Sequence, residues 1–320
     1  MSKFIRSGLN FILKGFDLIL LESEENWERE AFAKLYEARI QHEKTYTHSA
    51  EGIVFSKDRA LQLHALLSSY LEKVISPAPL HILYTASTFE HQKAYQKLME
   101  IFSGKFLFIK QSSDDSFRND LLRILDSIST EKTFFLVDDI LFIEDFDMKD
   151  FIKFNTDEVI PTLRMGLNLT ECYTIQKEQP LPEFISDANH DGNKMFWIWD
   201  KGMHGWSYPL SVDGHFFSTQ EITAITKLIN FSAPNTYEDQ LQKFRRLFLF
   251  RKGVCYTKSK IVNIPCNKVQ KENKNIFGKV HQDYLLERWL NGYQMDYRKV
   301  YGFNNVGSHQ EIPFDFIRRS

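Results

Sequence analysis

Apolar positions along the chain change their spacing several times, and each change marks an element. From Phe4 to Leu21 they recur as on an amphipathic helix, broken by Lys14 and Asp17. Glu25 to Glu43 is rich in charge and sets Trp27, Phe32, Leu35, Tyr36 and Ile40 along one side, which predicts a second helix. From Gly52 the pattern alternates. Short apolar, β-branched runs at Gly52 to Phe55, His81 to Thr85, Phe106 to Ile109 and Thr133 to Phe142 read as strands. Helical patterns fall between them: Leu61 to Leu71, Ala94 to Phe102 and Asp115 to Ser127. This order predicts an α/β fold with a mostly parallel, Rossmann-like sheet flanked by helices, and ligands beyond the carboxyl ends of its strands.

Beyond residue 150 the periodicity is less regular. Met195 to Asp200 reads as a strand in which Trp197 and Trp199 alternate, so that one of the two is core. Ser218-Thr219-Gln220-Glu221 is a capping box, so Glu221 is expected to be structural. Pro234 to Asp239 enters a helix, Pro265 makes Ile261 to Gln270 an edge or loop, and Leu285 to Leu290 is a further helix. Three regions result: an N-terminal helical appendage over 1–48, a sheet-bearing half over 49–150, and a second half with C-terminal additions over 151–320.

Composition narrows the function. A chain of 320 residues, 43% hydrophobic and 14% aromatic, can bury a large core. Its net charge of −2 argues against a nucleic-acid surface, and Arg245-Arg246 with Arg251-Lys252 is expected on a solvated helix end. Cys172, Cys255 and Cys266 form no CxxC pair, which speaks for a reducing, cytoplasmic setting. The first helix is expected to pack, with peripheral contact to the inner face of a membrane as its other use.

The chemistry centres on Asp138-Asp139, two carboxylates interrupting the run from Thr133 to Phe142. Ionised groups in a buried strand are costly unless they sit at its end and meet a cation. Mn2+ or Mg2+ carrying a diphosphate suits such a pair, because these ions prefer carboxylate oxygen and complete their shell with water and phosphate. An Asp-Asp pair can also simply cap a turn. Further on, Trp206, Tyr208 and Asp213 form an aromatic and polar cluster suited to sugar, with His204 beside them.

The strand Ile53 to Phe55, the turn Ser56-Lys57-Asp58-Arg59 and the strand end Leu136-Val137-Asp138-Asp139 resemble the nucleotide-sugar half of GT-A-fold glycosyltransferases, especially bacterial family 2-like enzymes. The resemblance covers roughly residues 50 to 150. It implies that Phe55, Ser56, Asp58, Arg59 and Asp138 contact the donor, and that Asp139 holds the metal in place of the family's D-x-D motif. It further implies an inverting transfer from a nucleotide-diphosphate sugar to a glycan or lipid-linked glycan, in surface-polysaccharide synthesis. Glu238 or Asp239 would be the catalytic base, with Asp213 next, and His309 a second metal ligand from the C-terminal segment. Local alternatives stand beside these roles: Asn235 with Glu238 and Thr236 with Asp239 both fit a capping box. A sugar nucleotidyltransferase is the nearest enzymatic alternative, although the first turn lacks glycine; a silent glycan-binding or scaffold protein is the other. Walker A, G-x-G-x-x-G, HExxH and G-x-S-x-G patterns are absent from the sequence.

Overall fold

The computed structural model describes residues 23–40, 44–113, 116–185, 193–265, 281–313 and 315–319. The segment Phe4 to Leu21 and the run Cys266 to Gln270 lie outside the described residues. Met1–Glu43 and Lys44–Ser320 are separate compact units. The first contains helix α1, Ser23–Ile40, close to the expected span. No described helix is long and apolar enough to cross a membrane.

The second unit begins with the alternation that the sequence predicts. Strand β1 (Thr47–Lys57) leads into α2 (Ala60–Lys73), β2 (Leu80–Thr85) into α3 (Phe89–Ile101), β3 (Leu107–Lys110) into α4 (Phe117–Ser127), and β4 (Thr130–Val137) follows. β1 lies between β2 and β4, with β3 outside β2, and all four run parallel. Ile53, Val54 and Phe55 are buried in succession, as a central parallel strand covered on both faces requires. Helix α2 buries Leu61, Leu63, Leu66 and Leu67 at once, too many for a one-sided amphipathic helix, because later elements pack over its outer face.

The run Thr133 to Phe142 is two strands, not one. β4 ends at Val137, Asp138 and Asp139 form a turn, and β5 (Ile140–Phe142) leaves the sheet. Turning there carries both carboxylates off the buried ladder, where their desolvation has no compensation.

The rest of the chain is built from shorter pieces: β6 (Val159–Pro161), β7 (Lys194–Ile198), β8 (Phe216–Ser218), α5 (Thr219–Leu228), α6 (Pro234–Leu241), β9 (Lys252–Tyr256), β10 (Ile261–Asn263) and α7 (Gln282–Leu290). β8 pairs antiparallel with β4, so a strand from beyond residue 150 completes the central sheet. β9 joins β7 and β6 in a small sheet. Gly253 of β9 faces Trp197 of β7, where a Cβ would stand 2.3 Å from the indole. β10 pairs with β5 and also takes up a distant segment: the Asn263 N–H donates to Ser308 O, and the Gln310 N–H donates to Asn263 O, both at 2.9 Å.

Ser218 caps α5 through the Glu221 N–H, and Glu221 is structural, holding Arg251 by two contacts of 2.7 and 2.8 Å. Arg251 is therefore enclosed in an ion pair and not on a solvated helix end. Trp197 and Trp199 are both fully buried, where one was expected: two positions apart they fall on the same face, and the strand gives way to a 3-10 turn at Trp199.

Candidate active site

A cavity of about 830 Å³ opens at the carboxyl ends of β1, β2 and β4. Phe55, Ser56, Arg59, Asp138 and Asp139 line it from the sheet side. Its other walls carry His204, Tyr208, Asp213, Glu238, Asp239 and His309, together with Arg164, Tyr173 and Asn263. Residues as far apart in sequence as Phe55 and His309 thus meet around one space.

On the sheet side, Arg59 joins the acidic pair. Its Nη1 donates to Asp138 Oδ1 at 3.0 Å and to Asp139 Oδ2 at 3.1 Å. Asp138 also accepts from Ser56 Oγ at 2.9 Å and from the Lys57 N–H at 3.2 Å, which locks the end of β4 to the turn after β1. Burial pushes the Asp138 carboxyl up to about 6, against the pull of Arg59 and with the help of the neighbouring Asp139 charge. Asp139 is raised by burial and by the charge of Asp213.

Asp58 is not part of this wall. It adopts the left-handed conformation, φ 55°, and its carboxylate accepts from the Ser87 N–H at 2.7 Å and Ser87 Oγ at 2.6 Å. Only Asn, Asp and Gly visit that backbone region readily, and both oxygens are used internally, so Asp58 shapes the turn instead of touching a donor. Trp206 does not line the cavity either. It is fully buried, its ring 4.8 Å from that of Trp197, and its carbonyl accepts from Trp197 Nε1 at 2.9 Å. A 3-10 turn over His204–Ser207 rotates Trp206 inward while His204 and Tyr208 line the cavity.

The opposite wall is organised by Arg164. Its Nη1 donates to Ser211 Oγ at 2.6 Å and approaches Asp213 Oδ2 at 3.4 Å, while Nη2 donates to Ser308 Oγ at 2.9 Å. Asp213 is raised by burial, and Asn263 donates to it. Gly214 follows with φ 74°, a left-handed turn that glycine accommodates without strain and that presents Asp213 to the cavity. His309 Nε2 lies 3.6 Å from Asp213 Oδ2. Burial and the Arg164 charge hold its imidazole down to about 3, so it is neutral at ordinary pH.

Glu238 completes the wall. The N-cap of α6 is Ala233, with Pro234 at the first helical position. Thr236 Oγ1 accepts from the N–H groups of Ser232 and Ala233 at 3.0 Å each. Thr236 is therefore the side chain that closes the helix start, and neither capping-box pairing expected from the sequence forms. Glu238 sits further along, half-buried, and accepts from the Val212 N–H at 3.1 Å. Enclosure, reinforced by the Asp213 charge, pushes its carboxyl up to about 7. Asp239 is exposed at the cavity edge.

The donor set can be weighed against Mn2+ or Mg2+. Asp138, Asp139, Asp213 and Glu238 outnumber the guanidinium groups Arg59 and Arg164 that face them, so the wall has negative charge to share. Among the described residues no three His, Cys, Asp or Glu side chains converge into a metal cage. A magnesium-type ion needs none, since one or two carboxylates and substrate phosphate suffice. Asp139, a carboxylate lining the cavity, is enough for that requirement, and the neutral imidazole of His309 lines the same cavity.

Arg164 and Ser211 were not singled out by sequence. Arg164 stands in a non-periodic stretch, Thr162-Leu163-Arg164-Met165-Gly166, with no motif around it. No local signal marks it, because its partners are 47 and 144 positions away.

No protein-family profile matches the chain. An alignment of 190 positions that covers 54% of the chain is 24% identical to the bifunctional glycosyltransferase pgtA of Dictyostelium discoideum. It spans 24% of that protein's length, so the chain corresponds to about a quarter of this curated relative. Among solved structures, Staphylococcus aureus TarS 1-349 covers 67% of this chain and 59% of its own at 13% identity and a TM-score of 0.43. A nucleotidyl transferase from Methanothermobacter thermautotroptrophicus covers 67% and 89% at 9% identity and a TM-score of 0.37. Overlaps this loose carry no argument about activity. The chain is similar in sequence to a glycosyltransferase, and its own sheet is the mostly parallel α/β arrangement described above.

Proposed function

We propose that this protein is a glycosyltransferase that moves a sugar from a nucleotide-diphosphate donor to a glycan or lipid-linked glycan, by an inverting, metal-dependent route in surface-polysaccharide synthesis. The observation that carries the proposal is Glu238: a carboxylate on the cavity wall, free of capping duty and titrating near 7, faces the acidic pair across a space large enough for both substrates. Donor nucleotide is assigned to Phe55, Ser56 and Arg59, and acceptor to the side of His204 and Tyr208. Glu238 accepts the proton of the acceptor hydroxyl as its oxygen bonds to the anomeric carbon; the bond from that carbon to diphosphate oxygen breaks on the opposite face. A pKa near the working pH suits that task, because the base is ionised and still basic enough to hold a proton. Asp213 is the second candidate for this role and Asp239 the third. Bound through Asp139 and His309, Mn2+ or Mg2+ would supply neutralising charge for the departing diphosphate.

A panel of nucleoside diphosphates, scored by thermal shift with and without Mn2+, tests the donor side. One ligand is expected to stabilise the protein by about 2.7 kcal/mol at a hundred times its dissociation constant. Asp139→Asn should abolish the manganese-dependent part and leave the unliganded melting temperature close to that of the wild type. Undiminished manganese dependence in Asp139→Asn removes the metal assignment. Release of pyrophosphate from a nucleoside triphosphate and a sugar phosphate would replace glycosyl transfer with nucleotidyl transfer.

A further inference from the structure

One end of the cavity is built by two segments that the donor side does not use. The first is a tight hairpin in which Glu171–Cys172 pairs with Lys177–Glu178, with Tyr173–Ile175 in a 3-10 turn and Gln176 left-handed at φ 53°. Cys172, Tyr173, Thr174 and Ile175 line the cavity. The second is the loop Met203 to Tyr208, where His204 holds the unfavourable φ of 51° and also lines it. A histidine kept in that conformation needs a surrounding structure that fixes it.

Gln179 is what joins the two. It follows the hairpin directly, is buried, and its backbone N–H donates to Thr170 O at 2.7 Å, closing the base of the hairpin. Its side-chain Oε1 accepts from the Gly205 N–H at 3.0 Å. The fit is close: a Cβ on Gly205 would stand 2.7 Å from that oxygen. The hairpin is fixed from its other side as well, by Tyr173 Oη donating to Glu311 at 2.7 Å and by the Glu171 N–H donating to Val306 O at 2.9 Å. The side chains contributed to the cavity by these two segments include no carboxylate, lysine or arginine. Tyr173 and Tyr208 offer aromatic surface, and Thr174 and His204 offer hydrogen bonds, the combination that holds a saccharide ring by its C–H face and hydroxyls.

We propose that this hairpin and loop form the subsite for an uncharged sugar residue of the acceptor, and that Gln179 is the positioning residue that sets its geometry. The inference rests on the glycosyltransferase reading for the identity of the acceptor, but the subsite has its own test. The probes are para-nitrophenyl glycosides of glucose, galactose and N-acetylglucosamine, with the glucuronide as the charged counterpart. Binding is read by saturation-transfer NMR on protein saturated with the nucleoside diphosphate from the panel, or on free protein if none binds. A neutral glycoside should bind, and the glucuronide at least tenfold more weakly. Gln179→Met, which fills the same space without an acceptor, should weaken the glycoside about tenfold and leave nucleotide affinity within twofold. Gln179→Glu, which keeps an acceptor oxygen at the same reach, should recover most of the loss. Should Gln179→Met fail to fold, Gly205→Ala disturbs the same contact sterically and should give the same split. Failure of every neutral glycoside to bind, equal binding of the glucuronide, or unchanged glycoside affinity in both Gln179→Met and Gly205→Ala overturns the proposal. Loss of nucleotide binding by the wild type would instead count against the donor reading alone.

Discussion

The two sides of the cavity are made in opposite ways. The sheet side comes from neighbours: β1, its turn, and the end of β4 lie side by side in a parallel ladder, and Ser56, Arg59, Asp138 and Asp139 meet because strand ends meet. The far side comes from strangers: Arg164, Ser211 with Asp213, Glu238 and His309 sit on four separate short segments with no common sheet. A regular scaffold can place a binding surface cheaply in information, whereas a surface assembled from loops needs its own network of polar contacts to hold still. The first side is suited to a constant part of a substrate, and the second to chemistry that must be positioned residue by residue.

The sharpest way to break this contrast is Glu238→Gln. If the far wall carries the reaction, transfer should fall by about 10² to 10⁴-fold while nucleoside diphosphate affinity stays close to wild type. Wild-type transfer should rise with pH through about 7 as the carboxylate ionises, and that rise should vanish in the variant. Stability of the ligand-free protein should move the other way. The folded-state pKa of Glu238 is above its unfolded value, so the native state binds more protons and stability is lost as pH rises from the ordinary carboxylate range through about 7. Denaturant midpoints at several pH values, wild type against Glu238→Gln, measure it; full transfer by the variant would move the base to Asp213.

Trp206→Ala probes whether the aromatic cluster is core or site. A fully buried indole packed on Trp197 should cost about 3 to 5 kcal/mol on truncation, read as a shifted urea midpoint. A variant of wild-type stability that has lost acceptor binding would return Trp206 to the cavity wall.

Asp58→Ala gives the smallest effect and tests the regular side. Leaving the Ser87 N–H without its partner should cost about 1 to 3 kcal/mol. Asp58→Asn, which keeps an acceptor and tolerates the left-handed backbone, should recover most of it. Nucleotide affinity reduced by Asp58→Ala with no loss of stability would make Asp58 a ligand contact after all.

Much of the sheet side is legible in the sequence because its logic is local. Period, strand ends and the rule that ligands gather beyond the carboxyl ends of parallel strands are enough to find Ser56, Arg59 and the Asp-Asp turn. What misleads there is one residue's backbone: a left-handed φ at Asp58 reverses the side chain that simple succession would point outward. On the far side, Glu238 can be read as a helix cap because helix starts are ambiguous by a turn, and only the observed cap, Thr236, frees it. Trp206 is misread because a 3-10 turn over His204–Ser207 buries its indole while His204 and Tyr208 on either side line the cavity. Arg164 leaves no trace at all, since nothing nearby in sequence explains a guanidinium whose partners come from two distant segments.

The pairing of Ser308 to Gln310 against Asn263 has a consequence for synthesis. Arg164 leaves the ribosome 144 residues before the serine that holds its second nitrogen, and His309 follows one residue later still. A nascent chain long enough to complete the parallel ladder has not yet made the strap that closes the other wall. The ladder is built from contacts closer in sequence than those of the strap, which favours its forming first. Until the strap arrives with Ser308 and His309, the cavity is half built and its far wall incomplete.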